Sequence, residues 1–532
     1  MSLQNGLEPV DARGFSAREQ SVEARGGVPA AQMLAVRAPA TGEWLGEVRT
    51  SSAEQVNDAF ARARVAQLRW VSLPIELRCE HIMRLRDAIV ARADELIDLM
   101  AREAGKPRQE ALVHEVMVVA DLANYYAKRA AKILAPREVE PHLFKHRKSY
   151  VHYAPRGVIG VISPSNFPLL VAASEAIVAL LAGNAVVHKP SERTPLVALK
   201  FQDICVRAGL PCDLYQVLPG ARATGEALID ARPDMLFFTG CQANGRAVAA
   251  HCGSLLIPVQ LELGGKASAI VLEDADLERA ARAIVNGAFA NSGQVCVGVQ
   301  RVYAQAAIHD ALVQRVVELS EHLRQGDPDQ RTVDLGPLQT VGQADRAEQL
   351  VDEARQRGAV VRSGGLRGAA RNVYLPTVLA QCTPEMRLMR EELMAPVLAV
   401  MKVASDNEAI VLCNQSRSRL MASVFTSNKQ RGRRIAERLH MGTVMINDVL
   451  AAYASPELPF GGIGDSGHGR VHGDEGLRAV CDTRTVDYNR GPMFKREPVW
   501  FPYRKRTYAT MINVMKVFFR SGSPLKNAID LL

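Results

Sequence analysis

The chain has 532 residues, of which 48% are hydrophobic and 23% charged, with a net charge of +8. That length exceeds what one core organises, so two or more domains are expected, and the balance is that of a soluble globular chain. No apolar run is long enough to span a bilayer, the N-terminus lacks the apolar stretch of a secretory signal, and nine scattered cysteines without a CxxC pair argue against a disulfide scaffold or a metal site, so a reducing, cytoplasmic location is expected.

Residues 1–35 are rich in Ala, Gly and Arg and are expected to form a poorly ordered leader. Residues 52–68 and 76–104 read as helices, because apolar positions recur at intervals of three and four. Gly105-Lys106-Pro107 stops that pattern, and a further helix is expected over about 109–133. After residue 150 short apolar runs alternate with amphipathic segments. VIGVIS (158–163), AVVHK (185–189), YQVL (215–218), MLFF (235–238) and VQLEL (259–263) read as strands, with helices over 195–208 and 242–252. A second alternating block runs from about 267 to 460, with strands at 268–272, 300–305, 397–403, 422–426 and 442–447. Strand–helix alternation implies an α/β fold with a parallel sheet, whose ligands sit at the carboxyl ends of the strands.

Several stretches at such ends carry chemistry. Cys296 ends NSGQVC, where small residues allow a substrate to approach the backbone and a helix start would depress the thiol pKa. A thiolate attacks carbonyl carbon. Glu262 ends VQLEL against Gly264-Gly265, so partial burial would raise it into the range of a general base, whereas a plain ion pair with Lys266 is the simpler alternative. Asn166 stands between two prolines in SPSNFP, placed either to donate to an oxyanion or simply to make a turn. Lys189 and Glu192 follow the strand AVVHK and could grip sugar hydroxyls or be solvated loop charges. FTGCQANG (238–245) is a strand–Gly–helix junction whose helix N-terminus suits a pyrophosphate.

These pieces in this order resemble the aldehyde dehydrogenase superfamily. The matching stretches are PRGVIGVISPSNFP (155–168), GNAVVHKPSE (183–192), FTGCQANGR (238–246), LELGGK (261–266), NSGQVC (291–296), EELMAPV (391–397) and PFGGIGDSGHGR (459–470). The resemblance implies an aldehyde dehydrogenase fold: a Rossmann-like cofactor domain over 36–140 and 156–264, an α/β catalytic domain over 265–465, and a small β oligomerisation arm from 141–155 and 478–492. It implies Cys296 as nucleophile, Asn166 as oxyanion donor and Glu262 as the base that releases the acid. It places NAD, with NADP possible, against Ile162, Pro164, Lys189, Ser191, Glu192, Phe238, Gly240, Cys241, Gly245, Leu263, Gly264, Glu392 and Met394. The Glu192 carboxylate would accept from ribose hydroxyls and repel a 2′-phosphate, which favours NAD. No metal is implied, and the base argues against release to coenzyme A.

The sequence departs from the family pattern at Cys241, where serine is usual, at Asn244, and at Met394-Ala395, where Phe-Gly is usual. These changes bear on cofactor affinity rather than on the reaction. The expected reaction is oxidation of an aldehyde to its acid by a homodimer or homotetramer. The aldehyde is either a small semialdehyde, to which GRVHGDEGLRAV near 469–480 is similar, or a medium-chain, long-chain or aromatic one. A non-catalytic homologue or a membrane-associated scaffold is the alternative.

Residues 493–532 contain eight Lys or Arg and two acids, so the charge excess describes a tail and gives no footprint for nucleic acid. Tyr508, Met511, Ile512, Met515, Phe518 and Phe519 fall on one helical face there, with Trp500, Phe501 and Tyr503 upstream. Such a helix would dock on the body or a second subunit, or lie peripherally on an anionic membrane.

Overall fold

The computed structural model describes residues 32–142, 144–490, 497 and 500–525. Two large sheets dominate. The first has six strands in the order Gly467–His468, Val259–Leu263, Met235–Gly240, Val158–Ile162, Ala185–Lys189 and Tyr215–Val217. All neighbours are parallel except the first pair. The second has seven strands, ordered Val360–Ser363, Thr377–Ala380, Val397–Val403, Arg301–Gln305, Ser268–Val271, Met421–Phe425 and Thr443–Ile446. Only its first pair is antiparallel.

The local reasons are visible in the sequence. The strands Val158–Ile162 and Ala185–Lys189 are buried at every position, as parallel strands covered on both faces must be. The helix Leu170–Ala182 is apolar all round apart from Ser174 and Glu175 and is likewise wholly buried. Ser52 and Gln55 form a capping box that starts the helix Ala53–Val71. Gly105 takes a left-handed conformation at φ 72° and ends Ala93–Ala104.

The structure departs from the sequence expectation in places. The helix expected over 76–104 is two helices, Ile75–Ala91 and Ala93–Ala104, hinged at Arg92. The helix expected over 109–133 contains a π-turn at Leu112–Val116, which widens the backbone next to a cavity described below. The leader assignment fails at its end, because Met33–Arg37 is a strand paired with Trp44–Arg49, and residues 1–31 lie outside the described part. A three-stranded antiparallel sheet joins Cys481–Asn489, Arg147–Pro155 and Arg137–Val139. Its strand Cys481–Asn489 is exposed at every residue after the first.

The tail contains the expected helix, Lys505–Phe519, and none of its residues is buried. The reading in which its apolar face docks on the body is therefore not what the fold shows. No helix among the described residues is long and apolar enough to cross a membrane.

Candidate active site

The six-stranded sheet aligns the predicted cofactor residues along one edge. Ile162 is in register with both Lys189 and Phe238, and Gly240 with Leu263. These positions are the carboxyl ends of four parallel strands, and Pro164, Ser191 and Gly264 follow directly after three of them. Gly240 packs on the ring of Phe238, and Gly245 on the side chain of Leu263. Lys189 is buried and its Nζ lies 3.5 Å from the half-exposed Glu192 carboxylate. Cys241 is the N-cap of the helix Gln242–Ser254 and makes no side-chain cap bond, so the first amides of that helix are left for a ligand.

Across from this edge, Glu392 reaches over Gly264 so closely that any side chain at 264 would collide with its carboxylate. Burial pushes Glu392 up to about 7, opposed by Lys266. One of its oxygens has no hydrogen-bond partner among the described residues. A cavity of about 700 Å³ opens between the two sheets here, with Cys241, Gln242, Arg301, Glu392 and Ser418 in its wall. Gln242 spans it, donating to the Ser418 hydroxyl at 2.7 Å. An open cleft, uncapped amides and an unpartnered ribose-type acceptor are what a dinucleotide requires. Lys189, Ser191, Glu192, Ile162 and Pro164 lie along the same strand-end edge and do not line this cavity.

The stretches LELGGK and NSGQVC meet just beyond the strand Val259–Leu263, where Gly265 lies against the Cys296 carbonyl. Glu262 is 8% exposed, and neither carboxylate oxygen has a hydrogen-bond partner among the described residues. Burial holds it well above the usual carboxylate range, with Arg470 opposing. The simple pairing with Lys266 does not occur: Lys266 is buried and donates to Gln300 at 2.9 Å.

Cys296 sits close enough for its thiol to respond to the charge of both Glu392 and Glu262. The preceding loop is wound left-handed, at φ 49° for Asn291, 55° for Ser292 and 75° for Gly293. Such backbone costs energy and persists only where its surroundings enforce it. Glu110 accepts the Asn291 amide at 2.8 Å, Ser292 donates to the Gly336 carbonyl at 2.7 Å, and Gln294 accepts from Gln339 and Gln343, each at 3.1 Å. Asn166 joins the same loop: its side-chain NH2 donates to the Gln294 carbonyl at 2.9 Å, and its own carbonyl accepts from Asn291 at 3.0 Å. Met394 accepts from Gln343 at 3.2 Å, next to Ala395, whose carbonyl backs onto Gly293.

One expectation needs correction. Cys296 does not start a helix, and its thiol is pushed up to about 12, first by burial and then by Glu392 and Glu262. The small residues around it shape the backbone; they do not supply a positive helix end.

Behind Cys296 lies a cavity of about 340 Å³ that the sequence did not announce. Val118, Phe167, Leu170, Val171, Leu450 and Tyr453 are among its walls. It contains no lysine or arginine among the described residues, and its one histidine, His114, is lowered to about 4 by burial and so is neutral at pH 7. Glu110, Glu175 and Tyr453 also escaped sequence reasoning, since each comes from a helix or loop with no motif of its own.

The aldehyde dehydrogenase family model matches residues 28–486. A protein of Mycobacterium ulcerans, provisionally named a succinate-semialdehyde dehydrogenase [NADP(+)], is 38% identical over 449 residues, 84% of this chain and 86% of its own. The 4,4'-diapolycopene aldehyde oxidase of a Methylomonas species is 38% identical over 496 residues, 93% of this chain and 92% of its own. The crystal structure of an NAD-dependent aldehyde dehydrogenase from Sinorhizobium meliloti superposes with a TM-score of 0.84 at 32% identity, covering 88% of this chain and 93% of that one. The chain thus belongs to the aldehyde dehydrogenase family, and it oxidises an aldehyde to the carboxylic acid with NAD or NADP.

Proposed function

We propose that the substrate is an apolar aldehyde, medium- or long-chain or aromatic, oxidised with NAD ahead of NADP. The observation that carries this is the cavity behind Cys296, whose walls are mostly apolar, with Asn286, Tyr453 and the neutral His114 as the polar members and no lysine or arginine among the described residues. A semialdehyde would bring a carboxylate into that space, where an unpaired charge is costly. The mycobacterial relative's name speaks for a semialdehyde, and the Methylomonas relative's name for a diapolycopene aldehyde.

In this reading the Cys296 thiol gives its proton to water as its sulfur bonds to the aldehyde carbon, forming a thiohemiacetal. The Asn166 NH2 and the Cys296 backbone N–H hold the oxyanion. The bound nicotinamide cofactor supplies the hydride acceptor. Lys189 and Glu192 would hold its adenosine ribose, the turn at Gly240 and Cys241 its pyrophosphate, and Glu392 its nicotinamide ribose. Glu262 then takes a proton from water as the oxygen attacks the thioester, and the Cys296 sulfur leaves. The cofactor domain is assigned to 33–136 and 156–264, the catalytic domain to 265–465 and the arm to 137–155 and 478–492, bounds that keep the strands Met33–Arg37 and Arg137–Val139 whole. The exposed edge strand Cys481–Asn489 supports assembly into a homodimer or homotetramer.

An aldehyde panel with each cofactor tests the substrate. Each added methylene is expected to raise kcat/KM about fourfold until the cavity is full, from about 0.8 kcal/mol per CH2. A highest kcat/KM for succinic semialdehyde would overturn the reading.

A peripheral membrane contact has its own support. Phe501, Tyr503, Tyr508, Phe518 and Phe519 are each more than half exposed, beside Arg504, Lys505, Arg506, Lys516 and Arg520, and no acid lies between 498 and 525. That charge and apolar face suit an anionic bilayer. The full chain is expected to sediment with phosphatidylglycerol-containing vesicles at low salt, and the chain ending at 492 is not. Equal sedimentation of both would reject the contact.

A further inference from the structure

The reaction as derived leaves unused an ion pair buried beside the active site. Lys106 and Glu115 are both 0% exposed, and they bond to each other. The second Glu115 oxygen accepts from the Leu169 amide at 2.9 Å and from the Leu170 amide at 3.0 Å. Those amides open the buried helix Leu170–Ala182, where the first N–H groups have no partner within the helix. The Lys106 ammonium also lies 3.8 Å from the centre of the Phe167 ring, as a cation over an aromatic face does. The pair thus grips the chain at 167, 169 and 170, directly after Asn166.

Asn166 is held from its other side by the thiol loop and by Gln339. Its side-chain NH2 donates to the Gln294 carbonyl at 2.9 Å, its carbonyl accepts from Asn291 at 3.0 Å, and Gln339 donates to the Ser165 carbonyl at 2.8 Å. An amide NH2 has two N–H bonds, so one is left for an oxyanion. Its direction depends on residues 165–170 being fixed at both ends. The segment that carries Glu115 holds the thiol loop as well, through Glu110 and the Asn291 amide. The π-turn Leu112–Val116 separates the two acids, and its wider winding lets both reach the site from positions five apart. Apolar residues of similar volume would stabilise this core as well as an ion pair does. They would supply neither an acceptor for the two amides nor a cation over the ring.

We propose that Lys106 and Glu115 are positioning residues for the oxyanion site: together they fix the turn at 166–170, aim the free N–H of Asn166 at the oxyanion on the carbon bonded to Cys296, and seat Phe167 in the cavity wall. This rests on Asn166 being the oxyanion donor.

The test is a double-mutant cycle on the full chain, read as the rate of the first NADH formed at saturating NAD and aldehyde. Lys106→Met/Glu115→Gln removes both charges together, so neither is left buried alone. It is expected to slow that rate about tenfold, as a small misplacement of a reacting group does. The Kd for NAD is expected to stay within about twofold. Asn166→Ala alone is expected to cost about 10²–10³-fold. In the Asn166→Ala background the pair substitution is expected to cost no further loss beyond about twofold. A tenfold loss in both backgrounds overturns the proposal, because the pair would then act on the fold at large. An unchanged rate in the wild-type background overturns it too, as does a larger rise in the Kd for NAD. Should the double variant not fold, Lys106→Met alone enters the same cycle under the same criteria. That variant leaves Glu115 as the fold already holds Glu103, a buried carboxyl bonded to the helix amides of Leu196 and Val197. Failure of the oxyanion assignment reads differently, as an unchanged rate in Asn166→Ala, and takes the proposal with it.

Discussion

Gly265 lies against the backbone of Cys296: a methyl group at 265 would sit 3.0 Å from the Cys296 carbonyl oxygen and 2.9 Å from Leu420. This contact joins the LELGGK and NSGQVC stretches physically, with no room for another residue type. Gly265→Ala is expected to cost about 1–3 kcal/mol, as overpacking does. It should also lower turnover by displacing the thiol. Thermal unfolding and the burst rate check both; a variant as stable and as fast as wild type would show that the backbone yields here.

The elevated thiol gives a pH signature. A thiol raised to about 12 is protonated throughout the neutral range, so its reactive anion increases with pH. Iodoacetamide labelling of Cys296 in the cofactor-free protein is expected to rise about tenfold per pH unit from 7 to 10 without a plateau. Peptide-resolved mass spectrometry separates it from the exposed Cys212 and Cys241. A plateau below pH 8 would mean that the thiolate is stabilised after all.

Cys296→Ala is expected to abolish NAD-linked oxidation. Glu262→Gln should retain one burst of NADH per active site while steady-state turnover falls about 10²–10⁴-fold, the usual worth of a general base. Rapid-mixing absorbance reads both phases.

Glu192 stands half exposed at the end of the strand Ala185–Lys189, where a 2′-phosphate would meet its charge. Glu192→Ser is expected to improve kcat/KM for NADP about tenfold, equivalent to about 1.4 kcal/mol, and to weaken NAD. An unchanged cofactor ratio would move the determinant elsewhere.

Sequence reasoning located the α/β alternation because buried parallel strands such as AVVHK are short, apolar and bounded by turns. It singled out Cys296 and Glu262 as candidates because glycine-flanked motifs mark close backbone approach. It did not find the wall of the apolar cavity, since Val118, Phe167, Leu170 and Tyr453 come from separate helices and loops and each reads as ordinary core. The thiol's environment was misjudged because burial and two acids outweigh a loop's local dipoles, and only the packed structure brings them together.

The cleft walled by Glu392 and Cys241 and the cavity walled by Tyr453 and Phe167 have no lining residue in common. Cys296 lines the second of them and not the first. On the proposed function, an aldehyde chain would occupy walls that the cleft at Glu392 does not share.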